Sequence, residues 1–347
     1  MSQPTRPNRH VGPSRREFIQ AGAAGLASAA LVTSEAESAR AQNAAGIPLR
    51  TLGSTGQAVT VIALGGYHSS VHPDENDSIR LIQRAVDEGI TFLDNAWDYH
   101  DGRAEERMGK AIAQGNRRDK VFLMTKCCGR TAKDAQSNLE DSLRRLQTDH
   151  LDLWQFHEIV YDNDPDWIFA KGGAIEYAVK AKEQGKIRFL GFTGHKDPAI
   201  HLKMLDKPYP WATVQMPLNV MDGHFRSFQH RVLPVLNQRG IAPIAMKSLG
   251  GTGKIVSESI VSIEEALRYV LSLPIASLVS GIDSEKVLEQ NLKIVRDFKP
   301  MTAEEKAAVE TKVQPYAGDG RFELFKSSKA FDGAHHRKQH GFSTEIS

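Results

Sequence analysis

Asp94, Tyr99, Lys126 and His157 each stand at or just past the end of a short apolar run, in "TFLDNAWDY", "KVFLMTK" and "LDLWQFH". Singly, each has an ordinary structural role: Asp94 could cap a helix, Lys126 could be solvated, and His157 could be a hydrogen-bonded core histidine. Together, an acid, a phenol, an amine and an imidazole on three consecutive strand ends form a set that handles protons. A cation within a few ångströms of a phenol favours the ionised form and lowers its pKa from about 10. Lys126 is therefore expected to make Tyr99 a better acid, with Asp94 anchoring the lysine as an ion pair. His157 is expected to offer a hydrogen-bond donor on the next strand. Such a set suits a reaction in which an oxygen gains negative charge and then a proton.

The elements that must hold these residues repeat one theme from Thr60 onward. A β-branched or apolar run is followed by a polar or glycine-containing loop, then by a helix with apolar residues at three- and four-residue spacing. Eight strand candidates result: "VTVIALGG", "TFLDNA", "KVFLMTK", "LDLWQFH", "IRFLGFTG", "ATVQM", "APIAMK" and "ASLVSG". Helical segments such as "DSIRLIQRAVDEG" and "KDAQSNLEDSLRRLQ" lie between them. Eight such units are the count of an α/β fold of the (β/α)8 TIM barrel type, whose reacting groups sit at the carboxyl ends of the strands. A doubly wound open sheet would usually carry a glycine-rich phosphate loop after the first strand, and "LGGYHSS" is no G-x-G-x-x-G. Ahead of the units, "IPLRTLGSTGQAVTV" reads as an N-terminal β-hairpin whose turn uses Gly53 and Gly56. Strand alternation turns Met124, Lys126, Leu153, Gln155 and His157 to the barrel axis, and Cys127, Trp154 and Phe156 to the helix layer.

The 347 residues carry a formal net charge of +2, which gives no support for a nucleic-acid partner. No apolar run approaches the about 20 residues of a membrane span, so small soluble partners are expected. Cys127 and Cys128 are adjacent, which excludes a disulfide framework and reads as two buried thiols. Residues 313–347, with "AHHRKQH", read as a polar tail packed over the barrel. Its histidines lack metal-ligand spacing and are expected to be solvated.

"SRREFIQAGAAGLASAALV" runs from paired Arg15 and Arg16 through an Ala/Gly-rich apolar stretch to the small-residue site Ala39-Arg40-Ala41. It resembles a twin-arginine (Tat) export signal, with Gln20 where that pattern often has lysine. Residues 1–41 are then the signal and 42–347 the barrel domain, with its core over 50–312. The resemblance implies the Tat export machinery as a partner, folding before export, and a periplasmic destination.

The four residues resemble the Asp-Tyr-Lys-His tetrad of the aldo-keto reductases. "FLDNAWDY" is similar to that family's FDTA-x-x-Y pattern with Asn95 for threonine, and "MTK" and "LDLWQFH" are similar to its lysine and histidine strands. "GRAEERMGKAI" resembles the segment after the tyrosine, and the likeness runs from about Arg50 to Phe298. It implies an NAD(P)-dependent oxidoreductase that reduces an aldehyde or ketone, with Tyr99 as general acid and His157 orienting the carbonyl. It also implies NADP or NAD lying extended across the barrel mouth. The residues carried over for the cofactor are Gly66, Thr193, Gln215 on the nicotinamide amide, Met246 where many members stack an aromatic, Lys247, Ser248 and Leu249 along the pyrophosphate, and Gly281, Asp283, Lys286 and Asn291 around the adenosine phosphate. Asp283 would repel a 2′-phosphate, which leaves the choice of NADP or NAD open.

Tyr67 and Trp97, on loops at the active end, are expected as substrate-pocket walls. A sensory or regulatory subunit that binds cofactor with little turnover is the second class of function. A metal-dependent barrel hydrolase is the third, but it would want clustered ligands of which only His157 is evident, so no metal is expected.

Overall fold

All eight apolar runs form parallel strands. The structure, a computed structural model, describes residues 41–329 and 331–342. The export-signal reading falls on residues outside these. The strands are β3 (Ile62–Gly65), β4 (Phe92–Asp94), β5 (Phe122–Cys127), β6 (Leu151–Phe156), β7 (Ile187–Thr193), β8 (Thr213–Pro217), β9 (Ala242–Met246) and β10 (Ser277–Ser280). They pair in sequence order, and β10 pairs with both β9 and β3, closing the barrel. Among the crossover helices, α1 (Glu75–Asp87) and α2 (Arg103–Ile112) follow β3 and β4, and α3 (Ala132–Leu146) follows β5. The first turns of α1 and α3 begin where a polar side chain caps them, Asp74 accepting from the Asn76 amide and Thr131 from the Asp134 amide.

The alternation of side chains divides the apolar core in two. Phe92, Phe122, Met124 and Leu153 fill the inside of the barrel, while Leu93, Leu123, Cys127, Trp154 and Phe156 pack outward with Met108 and Leu139 of the helices. An N-terminal hairpin of β1 (Leu49–Thr51) and β2 (Ala58–Thr60) brings Leu52 and Val59 into the inner group. Each such burial stabilises the fold by roughly 1.5–3 kcal/mol. Gly53 allows the hairpin turn: its φ is +53°, and a Cβ there would lie 2.7 Å from the Ala242 amide and the Gly240 carbonyl.

Beyond the barrel, α4 (Ala303–Ala317) runs through residue 313, the expected start of the tail, and short helices follow at Leu324–Ser327 and Ala334–Gln339. This segment is pinned by buried charge. Lys326 Nζ donates to Asp222 at 2.6 Å and to Glu323 at 2.9 Å, and all three side chains are buried. Lys196 Nζ pairs with Asp332 at 2.9 Å. The expectation of solvated tail histidines is corrected at His340, which is buried and lies 3.3 Å from the Arg130 guanidinium. Burial, and then the Arg130 charge, hold this imidazole well below its ordinary value.

The Lys326 cluster makes stability depend on pH. Burial pushes the Glu323 carboxyl up to about 7 from 4.5, against the pull of Lys326. A carboxyl raised in the folded state contributes stability that is complete below the unfolded value and lost as pH rises through the folded one. Hydrogen exchange of the Gly320–Ser328 amides, corrected for intrinsic rate, is therefore expected to show opening easier by of order 1–3 kcal/mol at pH 8 than at pH 4.5. Protection that does not change with pH would contradict this.

Candidate active site

The parallel register sets Asp94 opposite Met124 and Lys126 opposite Gln155, so strand ends β4, β5 and β6 deliver their polar residues to one level of the barrel. Lys126 and Asp94 are 1% and 2% exposed and in direct contact. The ammonium also donates to the Asn95 carbonyl at 2.6 Å and to the Tyr99 hydroxyl at 3.4 Å. Gln215 donates its amide N–H to the other Asp94 oxygen at 2.8 Å. The Tyr99 and His157 rings meet edge to face at 5.5 Å. All four residues picked from the strand ends are thus within one cluster.

One expectation is reversed. Burial, followed by the negative charges of Asp94, Asp98 and Glu158, pushes the Tyr99 phenol well above 10 instead of below it. The charge of Lys126 is already matched by Asp94, and burial together with the charges of Asp98 and Glu158 outweighs what remains at 3.4 Å. Tyr99 is consequently a phenol that keeps its proton throughout the neutral range.

His157 is held from behind. Its Nδ1 lies 2.9 Å from Asp98 Oδ1 and 3.5 Å from Cys128 Sγ, which leaves Nε2 for a substrate. Burial would raise the Asp98 carboxyl, but the charge and hydrogen bond of His157 bring it down to about 2. Burial pushes the Cys128 thiol well above its ordinary value. Both cysteines are free and buried. Asp98, Cys128 and His157 place ligand atoms within 4.8 Å of one another, which corrects the view that only His157 could serve a metal. The carboxylate and thiol also account for the ring's orientation without an ion.

Arg130 braces this wall. Its buried guanidinium donates to Asp164 at 2.7 Å and to the carbonyls of Cys128, His157 and Glu158 at 3.0, 2.7 and 3.1 Å. The Glu158 side chain reaches His195 Nε2 at 3.5 Å and His336 Nε2 of the C-terminal segment at 3.6 Å.

Of the residues carried over for a cofactor, Thr193 and Met246 lie side by side, with Oγ1 and Sδ 3.9 Å apart. Gln215 Oε1 is buried without a hydrogen-bond partner, so an amide N–H donor beside Asp94 would satisfy it. Gly66 packs so close to strand β4 that a Cβ would lie 2.7 Å from the Asp94 carbonyl. Lys247 sits with φ +56° and its ammonium 5.5 and 5.1 Å from the ring centres of Phe325 and Phe331. Burial pulls its pKa down. Ser248 is buried and Leu249 half-buried in the same loop. Gly281 abuts His68, Asn291 donates to Ser280 Oγ at 2.9 Å, and Asp283 and Lys286 are exposed at the rim.

Tyr67 meets Tyr99 edge to face at 5.4 Å and stacks on His100. Trp97 turns away toward α3, where its Nε1 reaches Asp141 at 3.3 Å and Arg145 lies over its ring. Sequence reasoning did not pick out Asp98, Glu158, His195 or Arg130. The first three each lie within two residues of a residue that it did pick, and that adjacency was the available signal.

Residues 61–259 match the Aldo/keto reductase family, and the chain belongs to that family. It is 33% identical over 205 residues to aldo-keto reductase YhdN of Bacillus subtilis, covering 53% of this chain and 56% of that one. It is 27% identical over 308 residues to L-galactose dehydrogenase of Arabidopsis thaliana, covering 78% and 95%. The chain spans 56% and 66% of the length of two Bacillus subtilis relatives, aldo-keto reductase YhdN and oxidoreductase YrpG. A solved aldo/keto reductase from Klebsiella pneumoniae, in complex with NADP and acetate, shares the fold at a TM-score of 0.60 and 23% identity, over 76% of this chain and 94% of that one.

Proposed function

We propose that this protein reduces an aldehyde or ketone to an alcohol with a nicotinamide dinucleotide as hydride source. The observation that carries the reading is the Tyr99 hydroxyl 3.4 Å from a lysine ammonium that is itself tied to Asp94, beside the His157 ring. The bound dinucleotide supplies the hydride. Gln215 and Thr193 would hold its carboxamide, and Lys247 with Ser248 and Leu249 its pyrophosphate. The Klebsiella pneumoniae structure, with NADP bound on the same fold, supports that choice of cofactor.

The protein's own part is to bind the carbonyl and protonate it. His157 Nε2 orients the oxygen, and the Lys126 charge stabilises the negative charge that builds there. Tyr99 then gives up its proton to that oxygen. Its raised pKa is no obstacle, because an alkoxide is a far stronger base than a phenolate, and the phenol keeps its proton until the alkoxide forms. Asp94 keeps the lysine in reach.

Titrating residues 42–347 with NADPH and NADH, followed by quenching of tryptophan fluorescence, tests the reading. Saturable binding of at least one is expected, and no binding of either would remove the hydride source. Binding without carbonyl turnover would favour a regulatory subunit instead.

We further propose that Arg15 and Arg16 direct export through the twin-arginine pathway, with the cofactor carried in bound form because the periplasm has no obvious pool of reduced nicotinamide. Replacing both with lysine is expected to retain the protein in the cytoplasm, and unchanged fractionation would count against export.

A further inference from the structure

Above the tetrad, the carboxylate of Glu158 has a setting that the proton chemistry does not use. The residue directly follows His157, and its backbone is held at φ +49°, a conformation uncommon for a non-glycine residue. Arg130 clamps its carbonyl at 3.1 Å, so the side chain is presented from a rigid support. Its partner His195 meets the rings of Phe325 and Phe331 at 6.0 and 6.2 Å, the same two rings that the Lys247 ammonium approaches, so the side chain stands at the barrel mouth one residue past His157.

Each of the other two carboxylates at this level has a close partner. Asp94 has Lys126 and Gln215, and Asp98 Oδ1, which like Glu158 Oε2 accepts no well-formed hydrogen bond, has His157 Nδ1 at 2.9 Å. Among the described residues, the ion-pair contacts of Glu158 are with imidazoles, at 3.5 and 3.6 Å, beyond the 2.7–3.2 Å of a good N–H···O bond. Its Oε2 is buried and accepts no hydrogen bond. Burial would raise this carboxyl, but the hydrogen bond from His195 and the nearby His157 charge bring it below the ordinary value, so it is ionised. An ionised carboxylate has about four acceptor sites, and here most are unspent.

We propose, on the basis of the reductase reading, that Glu158, flanked by His195 and by His336 of the C-terminal segment, is a hydroxyl-binding subsite, and that the substrate is a polyhydroxylated carbonyl compound of the sugar type. Hydroxyl groups beside the carbonyl donate to the Glu158 oxygens as the ligand displaces water. An apolar aldehyde strips water from the same carboxylate and returns nothing, which costs several kcal/mol. Sites that hydrogen-bond a substrate hydroxyl reject analogues lacking it by large factors.

The test compares D-erythrose with butanal, four-carbon aldehydes that differ in three hydroxyl groups, using whichever dinucleotide binds. The expected result is a ratio of kcat/KM of about 100-fold or more in favour of D-erythrose. Glu158→Leu is expected to bring that ratio below about 10. The isosteric Glu158→Gln, which preserves packing, is expected to lower it by about 10-fold through loss of charge assistance. Cofactor affinity in each variant checks that the barrel is folded. A wild-type ratio near one, or a ratio that survives both substitutions, overturns the proposal. If cofactor binds and neither aldehyde is reduced, the reductase reading itself fails and takes the subsite with it.

Discussion

Replacing Tyr99 with Phe is expected to lower kcat for carbonyl reduction by about 10²–10⁴-fold, the range supplied by a positioned general acid. Dinucleotide affinity should stay within about twofold, because the hydroxyl touches Lys126 rather than the residues assigned to the cofactor. The ring remains to pack edge to face on Tyr67 and His157, so the fold is retained. The pH profile adds a second reading. A phenol held well above 10 by burial and by three carboxylates gives wild-type reduction no Tyr99 limb below that pH. Undiminished turnover in the variant would remove Tyr99 as the donor, and a wild-type decline near pH 8 assigned to Tyr99 would show that Lys126 dominates after all.

Replacing Arg130 with Met is expected to cost about 3–5 kcal/mol of stability in denaturant unfolding, the usual result of leaving a buried carboxylate unpaired. Asp164 is that carboxylate. It is buried, bonded to Arg130 at 2.7 Å, and otherwise accepts only from the Val160 and Tyr161 amides among the described residues. The double variant Arg130→Met/Asp164→Leu should recover much of the stability, since no lone charge is then left. It should not recover turnover. The His157 and Glu158 carbonyls would still lack the guanidinium that fixes them, and small misplacements of catalytic groups lose rate steeply. Recovery of both would make Arg130 a stability element alone.

The strands and the tetrad were legible because both are local. An apolar run announces a buried strand, and the residue that closes it is at the mouth wherever the run is found. Trp154 and Cys127 could be assigned to the helix layer by the same alternation, as observed. What could not be read depends on residues far apart in sequence. His340 meets Arg130 across 210 positions, and Asn219 meets Glu323 across 104, with no periodicity to connect them. The sign of the Tyr99 shift failed for a related reason. Lys126 was visible as a cation near the phenol and Asp98 as its neighbour in sequence, but the burial of the phenol and the charge of Glu158 appear only when the strand-end loops are brought together.

The order of synthesis gives the C-terminal segment one more meaning. A nascent chain that has emerged as far as residue 300 contains all eight strands and the hairpin that plugs the floor. It contains none of Phe325, Phe331, His336 or His340. The barrel can therefore close around its tetrad while the mouth is still open, and the segment that emerges after it finishes the wall around Glu158 and Lys247. Competence for binding would then mark a chain that has emerged past His340, and a clip beyond α4 would leave a folded barrel that has lost its selectivity.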